Sequence, residues 1–459
     1  MSLSIHFSNL LKSNTAQPAQ PTTPTVNMKP YYKISTKNPS TSSNTSTGSN
    51  IATPSIVPHA ITANAVVSII AQPIPVRTIS SIYGLTPSPQ PAVGKKRSII
   101  AIIDCYLYNK NYYAWNDLKL FCTANGIPYP TLYATAPNTS TVGKPTYLTQ
   151  TTATSIISAA TVPTFFEWVQ SSTSLPAYDT TTTGWTPEMA LDVQAAWGMS
   201  VGAGSGVATS GPHIVLVHAK TPSTTDLTTA IRGAVAFGAD VVSMSLGLQS
   251  TTWIQSAFSG LESVFASATN TVFLASSGDT TGGSCYPACS PNVVGVGGTS
   301  LYVSENNRVF ETLWNTNTSG GGFGSMSGAG TASQPAYQSS VFPVLSGRTK
   351  NTPDISAIAD PDTGLNVYVN RTLYTIGGTS LAAPCMGGLV SIANQQRINE
   401  GKLPLNSLKF LTALYELVGS ESTNGLYPIG TNSQNISYDL SNGLGTPASG
   451  IISTLLQIT

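Results

Sequence analysis

A chain of 459 residues is long enough to bury a large core, and one large domain plus an appendage is the expectation. Charged residues make up 8% of it, against roughly 25% in an ordinary soluble domain. The formal net charge of +1 supplies no electrostatic attraction to nucleic acid or to an anionic membrane, so neither is expected as a partner.

Scarcity makes each acid more informative, and few carboxylates stand to be protonated in acid, so a fold that resists low pH is expected. No run approaches the roughly 18 apolar residues of a membrane span. Residues 1–12 lack the basic start and apolar core of a secretory signal, and no feature assigns a compartment. The five cysteines (Cys105, Cys122, Cys285, Cys289 and Cys385) have no metal spacing. Cys285 and Cys289 are close enough for a local disulfide or for two free thiols. A monomer is expected.

Residues 1–80 are rich in Ser, Thr, Pro and Asn, with one apolar patch at Ala60–Ile70, and read as a low-complexity, disordered arm. From Arg97 the texture changes. Short apolar runs at 98–103, Ile214–Ala219, Val241–Leu246, Val272–Ser276 and Val293–Val296 predict strands. Helical patterns follow at Tyr112–Ala124, Pro187–Trp197, Asp226–Phe237, Thr252–Ala266 and Leu405–Leu417. This alternation predicts an α/β fold with a predominantly parallel sheet covered by helices on both faces. In such sheets the active site lies beyond the carboxyl ends of the strands. The glycine runs Gly202–Gly206 and Gly320–Gly322 read as loops, because no P-loop lysine follows either.

At Gly377-Gly378-Thr379-Ser380-Leu-Ala-Ala-Pro384 a strand turns through two glycines into a small-residue helix reaching about Ile392. Pro384 fits if it falls in the first turn. Ser380 then stands at a helix N-terminus, where free N–H groups favour an anion, as a serine nucleophile needs; the alternative is a plain helix cap. A base is required. His6 and His59 lie in the arm, and His213 and His218 flank or occupy a strand, where core or surface roles account for them.

The better candidate is Trp185-Thr-Pro-Glu188-Met-Ala-Leu-Asp192. With Thr186 as N-cap and Pro187 as the first helical residue, Glu188 and Asp192 project from one helix face. Two acids so placed push one carboxyl towards keeping its proton. A solvated face carrying two acids is the alternative. Asp279 follows the strand Val272–Ser276, at the end where a parallel sheet presents its chemistry. If protonated, it can donate to an oxyanion, and otherwise it caps the turn.

Gly378–Pro384 fits the serine motif of subtilisins, yet the histidine segment those enzymes need is absent. The order Glu-x-x-x-Asp, Gly-Asp, Gly-Gly-Thr-Ser resembles instead the sedolisin, or serine-carboxyl peptidase, family. Val242–Gly247, Tyr286–Asn292, Val296–Thr299, Ser319–Gly322, Pro353–Ser356 and Asp360–Gly364 extend the resemblance over about Tyr83 to Leu455. It implies a subtilisin-like peptidase domain over 83–459 and an endopeptidase that works in acid on polypeptides. Ser380 would be nucleophile, Glu188 base, Asp192 its partner, and Asp279 the oxyanion donor with the Ser380 N–H. The strand ends Ser245-Leu246-Gly247 and Ser276-Ser277-Gly278 would pair with extended substrate.

The family also implies a calcium loop, here at Glu416, Leu417, Asn435, Ser437 and Asp439, with Glu416 departing from the usual aspartate. Family precursors carry a long folded propeptide, for which residues 1–80 look too short. A catalytically inactive structural or binding protein keeping the fold is the rival from another class. A subtilisin-type site using Asp104 and a histidine is the third reading.

Overall fold

The computed structural model describes residues 27–35 and 71–459, apart from 135–143, 181–183, 251–252, 281–283, 315–321, 324–325, 328–333, 340, 342–349, 421–423 and 430–435. Most of the arm, the Ala60–Ile70 patch, Gly320 and Gly321 of the glycine run, and Asn435 lie outside the described residues.

In chain order the elements that position the site are α1 (Val76–Ile82), β1 (Ile99–Cys105), α2 (Ala114–Asn125), β2 (Thr164–Val169) and α3 (Trp185–Ser200). Then come β3 (His213–Ala219), α4 (Thr224–Ala236), β4 (Val241–Met244), β5 (Leu246–Ser250), α5 (Gln255–Ser267), β6 (Val272–Ser276), β7 (Val294–Ser304) and β8 (Asn307–Leu313). Last are β9 (Ile355–Ile358), β10 (Leu365–Val369), β11 (Thr372–Gly377), α6 (Thr379–Asn399) and α7 (Ser407–Glu416).

The central sheet runs β8-β7-β6-β4-β1-β3-β2, continued by Thr131–Leu132, with β9 beside β7 and Tyr147–Leu148 beside β2. Every pairing is parallel except the hairpin of β7 with β8. The parallel α/β expectation is met. Its physical reason is visible in β1, β3, β4 and β6, where every residue is buried, as a sheet covered on both faces requires.

Helices α3 and α6 pack against each other and onto the sheet. A side chain on Gly388 of α6 would collide with Met199 and the Ala196 carbonyl of α3, so the glycine sets how closely the two helices approach. Nearly every residue of α3 is buried, so it is a central helix without a polar face. That overturns the solvated-face alternative for Glu188 and Asp192.

Three expectations need correction. The cap of α3 is Gly184, at φ 77, and the Thr186 N–H is held from outside by the Asp179 carboxylate at 2.6 Å. A left-handed turn that only glycine takes easily displaced the threonine cap. Pro384 is the sixth residue of α6 and lies beyond its first turn. The packed body also begins before residue 83: α1 lies against α3, and Tyr83 is fully buried.

The arm departs furthest from expectation. Residues 27–35 form two short strands: Lys29–Pro30 pairs antiparallel with β5, and Lys33–Ile34 pairs antiparallel with β11. Low complexity describes the arm's composition, but edge strands supply backbone partners to any sequence. All five cysteines are free and buried, so Cys285 and Cys289 form no disulfide.

Candidate active site

Ser380 is the second residue of α6, and Gly378 before it takes φ 100, which turns β11 into the helix. The side chain is fully buried beneath the arm. Its hydroxyl donates to the Ser245 carbonyl at 3.3 Å and accepts from the Tyr31 N–H at 3.1 Å. The Ser380 N–H donates to the Tyr31 carbonyl at 3.0 Å.

Glu188 and Asp192 come from α3 across the α3–α6 contact, both completely buried. Burial first, then the charge of Asp192, then that of Asp104, pushes Glu188 well above the usual carboxylate range, while the Ser380 hydroxyl pulls it down. Asp192 is pushed up by burial and Asp104 and pulled down by the Ser245 hydroxyl. No oxygen of either carboxyl has a partner at hydrogen-bonding distance, so both serine contacts are longer than formed bonds. Unpartnered buried carboxyls are strong candidates for groups that exchange protons.

Asp104, which the sequence placed only in the subtilisin-type reading, is the member of this cluster that motif reasoning missed. It ends β1, is fully buried, and has neither oxygen partnered. The rule that picked Asp279, an acid at the carboxyl end of a parallel strand, picks Asp104 equally well.

Asp279 follows β6. Its Oδ1 accepts from the Thr379 N–H at 2.9 Å and the Thr379 hydroxyl at 2.8 Å, while the Thr379 hydroxyl accepts from the Gly278 N–H at 3.1 Å. Burial outweighs these bonds and pushes Asp279 up to about 6. A side chain on Gly378 would meet both Asp279 Oδ2 and the Tyr31 carbonyl oxygen, so these two oxygens crowd one spot. A proton on Oδ2 turns that crowding into a hydrogen bond.

Neither histidine reaches this cluster as a base. His218 is held by the Tyr106 carbonyl at 2.7 Å and by Glu167 at 2.8 Å, which takes both ring nitrogens. His213 accepts from the Thr164 N–H, and burial holds its ring down at about 3.

Of the expected substrate strands, Leu246 and Gly247 face Pro30 and Lys29 in antiparallel register. Ser276-Ser277-Gly278 is differently engaged: the Ser277 N–H bonds to Val296 and the Gly278 N–H to Thr379. Both serine hydroxyls there are buried without a partner.

For the expected cation loop, Gly419 and Ser420 bond to Ile436, which brings the two segments together. Glu416, Ser437 and Asp439 are exposed. The Leu417 carbonyl, however, already accepts from the Ser420 N–H at 3.0 Å and the Ser420 hydroxyl at 2.5 Å, which fills both lone pairs. Asp439 accepts from the Ser441 N–H at 2.7 Å. The described donors therefore do not form an open oxygen cage. Among the described residues no helix is long and apolar enough to cross a membrane.

Residues 189–410 match the Subtilase family model. Over 135 residues, 28% of the chain, the sequence is 38% identical to sedolisin of Pseudomonas sp. (strain 101), of which the match covers 22%. Over 176 residues, 34% of the chain, it is 32% identical to kumamolisin of Bacillus sp. (strain MN-32), of which the match covers 31%. The chain belongs to the sedolisin family. The solved structure of Pseudomonas sedolisin, complexed with two molecules of pseudo-iodotyrostatin, aligns with a TM-score of 0.58 at 24% identity. That alignment covers 83% of this chain and 97% of that one, and gives this sedolisin-family protein its subtilisin-like fold. The matched stretches span about a third or less of the curated relatives.

Proposed function

We propose that this sedolisin-family protein is a serine-carboxyl peptidase that cuts polypeptides internally and works in acid. The reading is carried by the buried, unpartnered Glu188–Asp192 pair facing the Ser380 hydroxyl at the start of a helix. Glu188 takes the Ser380 proton as the hydroxyl attacks a peptide carbonyl, and Asp192 holds the pair's second proton in exchange with it. The oxyanion settles between the Ser380 N–H and a protonated Asp279. Glu188 then returns its proton to the leaving amine, and water resolves the acyl-serine by the same route.

Acid dependence is supported by Asp279, whose carboxyl loses its proton near pH 6 and with it the ability to donate. Internal cutting is supported by the cleft, whose edge strands β5 and β11 hold a chain continuing on both sides of Ser380. Cleavage of a denatured protein between about pH 3 and pH 5 by the wild type and by Ser380→Ala tests the reading. Loss of cleavage in the variant is expected; equal cleavage removes the enzyme in favour of a binding protein keeping the fold.

Calcium is proposed as a structural cation at Glu416, Leu417, Asn435, Ser437 and Asp439, which requires Ser420 to release the Leu417 carbonyl. A melting temperature raised by calcium and lowered by a chelator supports it. An unchanged one removes it.

A further inference from the structure

Residues 27–35 lie across Ser380 in the manner of a bound substrate. Lys29 and Pro30 run antiparallel to Gly247 and Leu246 on one side of the serine. Lys33 and Ile34 run antiparallel to Gly377 and Ile376 on the other. The ends are fixed as well: the Met28 N–H bonds to the Pro222 carbonyl, and the Ser35 N–H bonds to the Thr375 carbonyl, each at 2.8 Å.

Between these anchors, the Tyr31 nitrogen and carbonyl oxygen both touch Ser380, at 3.1 and 3.0 Å. The carbonyl carbon that joins them is thereby held at the hydroxyl, with its oxygen beside Asp279 Oδ2. The Tyr31 ring is buried against Gly247, and its hydroxyl engages the Cys285 thiol. A side chain on Gly247 would collide with both the Cys285 sulfur and the Tyr31 ring, so glycine there leaves room for an aromatic group. The next residue, Tyr32, feels the charge of Glu188, which places the leaving nitrogen on the side of the proposed proton donor.

We propose that the Tyr31–Tyr32 peptide bond is cut by the chain's own Ser380, and that the Gly247–Cys285 pocket selects an aromatic side chain before the cut bond. The inference rests on the peptidase reading above. Ser380 Oγ bonds to the Tyr31 carbonyl carbon while its proton passes to Glu188, and the carbon–nitrogen bond to Tyr32 breaks as that nitrogen takes the proton. One water then splits the Tyr31 ester, its hydroxide going to the carbon and its proton, through Glu188, to Ser380. The products are a fragment ending in the Tyr31 carboxylate and a chain beginning with the Tyr32 amine, and one water is consumed. Until the cut, the arm fills the cleft.

The test is N-terminal sequencing and intact mass of the full chain, followed in time at about pH 4, beside an added denatured protein as a separate substrate. A new N-terminus at Tyr32 is expected, formed at a rate independent of protein concentration and absent in Ser380→Ala. Tyr31→Gly should slow that cut roughly 10-fold or more, and added-protein fragments should end in aromatic residues. Cleavage of the added protein with Tyr31–Tyr32 left intact overturns this inference and leaves the peptidase reading standing. So does a cut whose rate rises in proportion to concentration. Absence of both cleavages removes the peptidase reading and this inference with it.

Discussion

Ser245 and Ser380 hold one another by a reciprocal pair: the Ser245 hydroxyl donates to the Ser380 carbonyl at 3.1 Å, and the Ser380 hydroxyl donates to the Ser245 carbonyl at 3.3 Å. The first bond answers a defect in α6. Pro384 has no N–H, so the carbonyl four residues earlier, that of Ser380, lacks its helical donor. Ser245 supplies one from the neighbouring strand end.

Ser245→Ala should therefore lower unfolding free energy by about 1–3 kcal/mol, because it leaves a buried carbonyl unpaired. Ser245→Thr should recover most of that. Urea unfolding of the two variants at one pH checks it, and equal losses would contradict the assigned bond.

Asp279 tests the oxyanion claim. Asp279→Ala should reduce kcat/KM by about 10²–10³, the usual cost of one donor. In Asp279→Asn the amide oxygen can still accept from Thr379 while the NH2 donates at every pH. That variant should keep its remaining activity above pH 6, where the wild type declines as Asp279 loses its proton. A parallel decline in both would assign the limb to another group.

Stability should follow the same acids. Asp279 rises from 3.8 to about 6 on folding, through burial. The folded state therefore holds the proton more tightly, and the gain is complete below about pH 4 and lost as pH rises through 6. At about 1.4 kcal/mol per unit, Asp279 alone accounts for about 3 kcal/mol. Asp104, Glu188 and Asp192 shift in the same direction, so their contribution has the same sign. Urea midpoints should be higher at pH 4 than at pH 7, and the reverse order would contradict the account.

Asp104 raises both Glu188 and Asp192 by its charge. Asp104→Asn should move the acidic limb of kcat/KM to lower pH, because the base then ionises more easily. A limb that stays in place would show that Asp104 is electrically silent in the working range.

The strands and helices carrying Ser380, Glu188, Asp192 and Asp279 were legible because buried parallel strands read as apolar runs and the acids stand at fixed places on them. Val272–Ser276 was read with the bounds the structure gives it. Composition hid the rest. Glu188 and Asp192 read as a plausible solvated face until packing buried α3 entirely. Tyr31 sat in a segment whose Ser/Thr/Pro content predicts disorder, and only the two edge strands that receive it explain its order. Asp104 was visible by position, but it was read through a histidine-dependent site. His218, opposite it in register, is bound to Glu167.

The most direct test is the pH profile of kcat/KM on a denatured protein substrate, measured for the wild type after release of its arm and for Glu188→Gln under the same conditions. The account predicts a maximum below about pH 6, the value of Asp279, and loss of that maximum in the variant. A maximum above pH 7 that survives Glu188→Gln would contradict it, because the Ser380 proton would then be leaving by some other route.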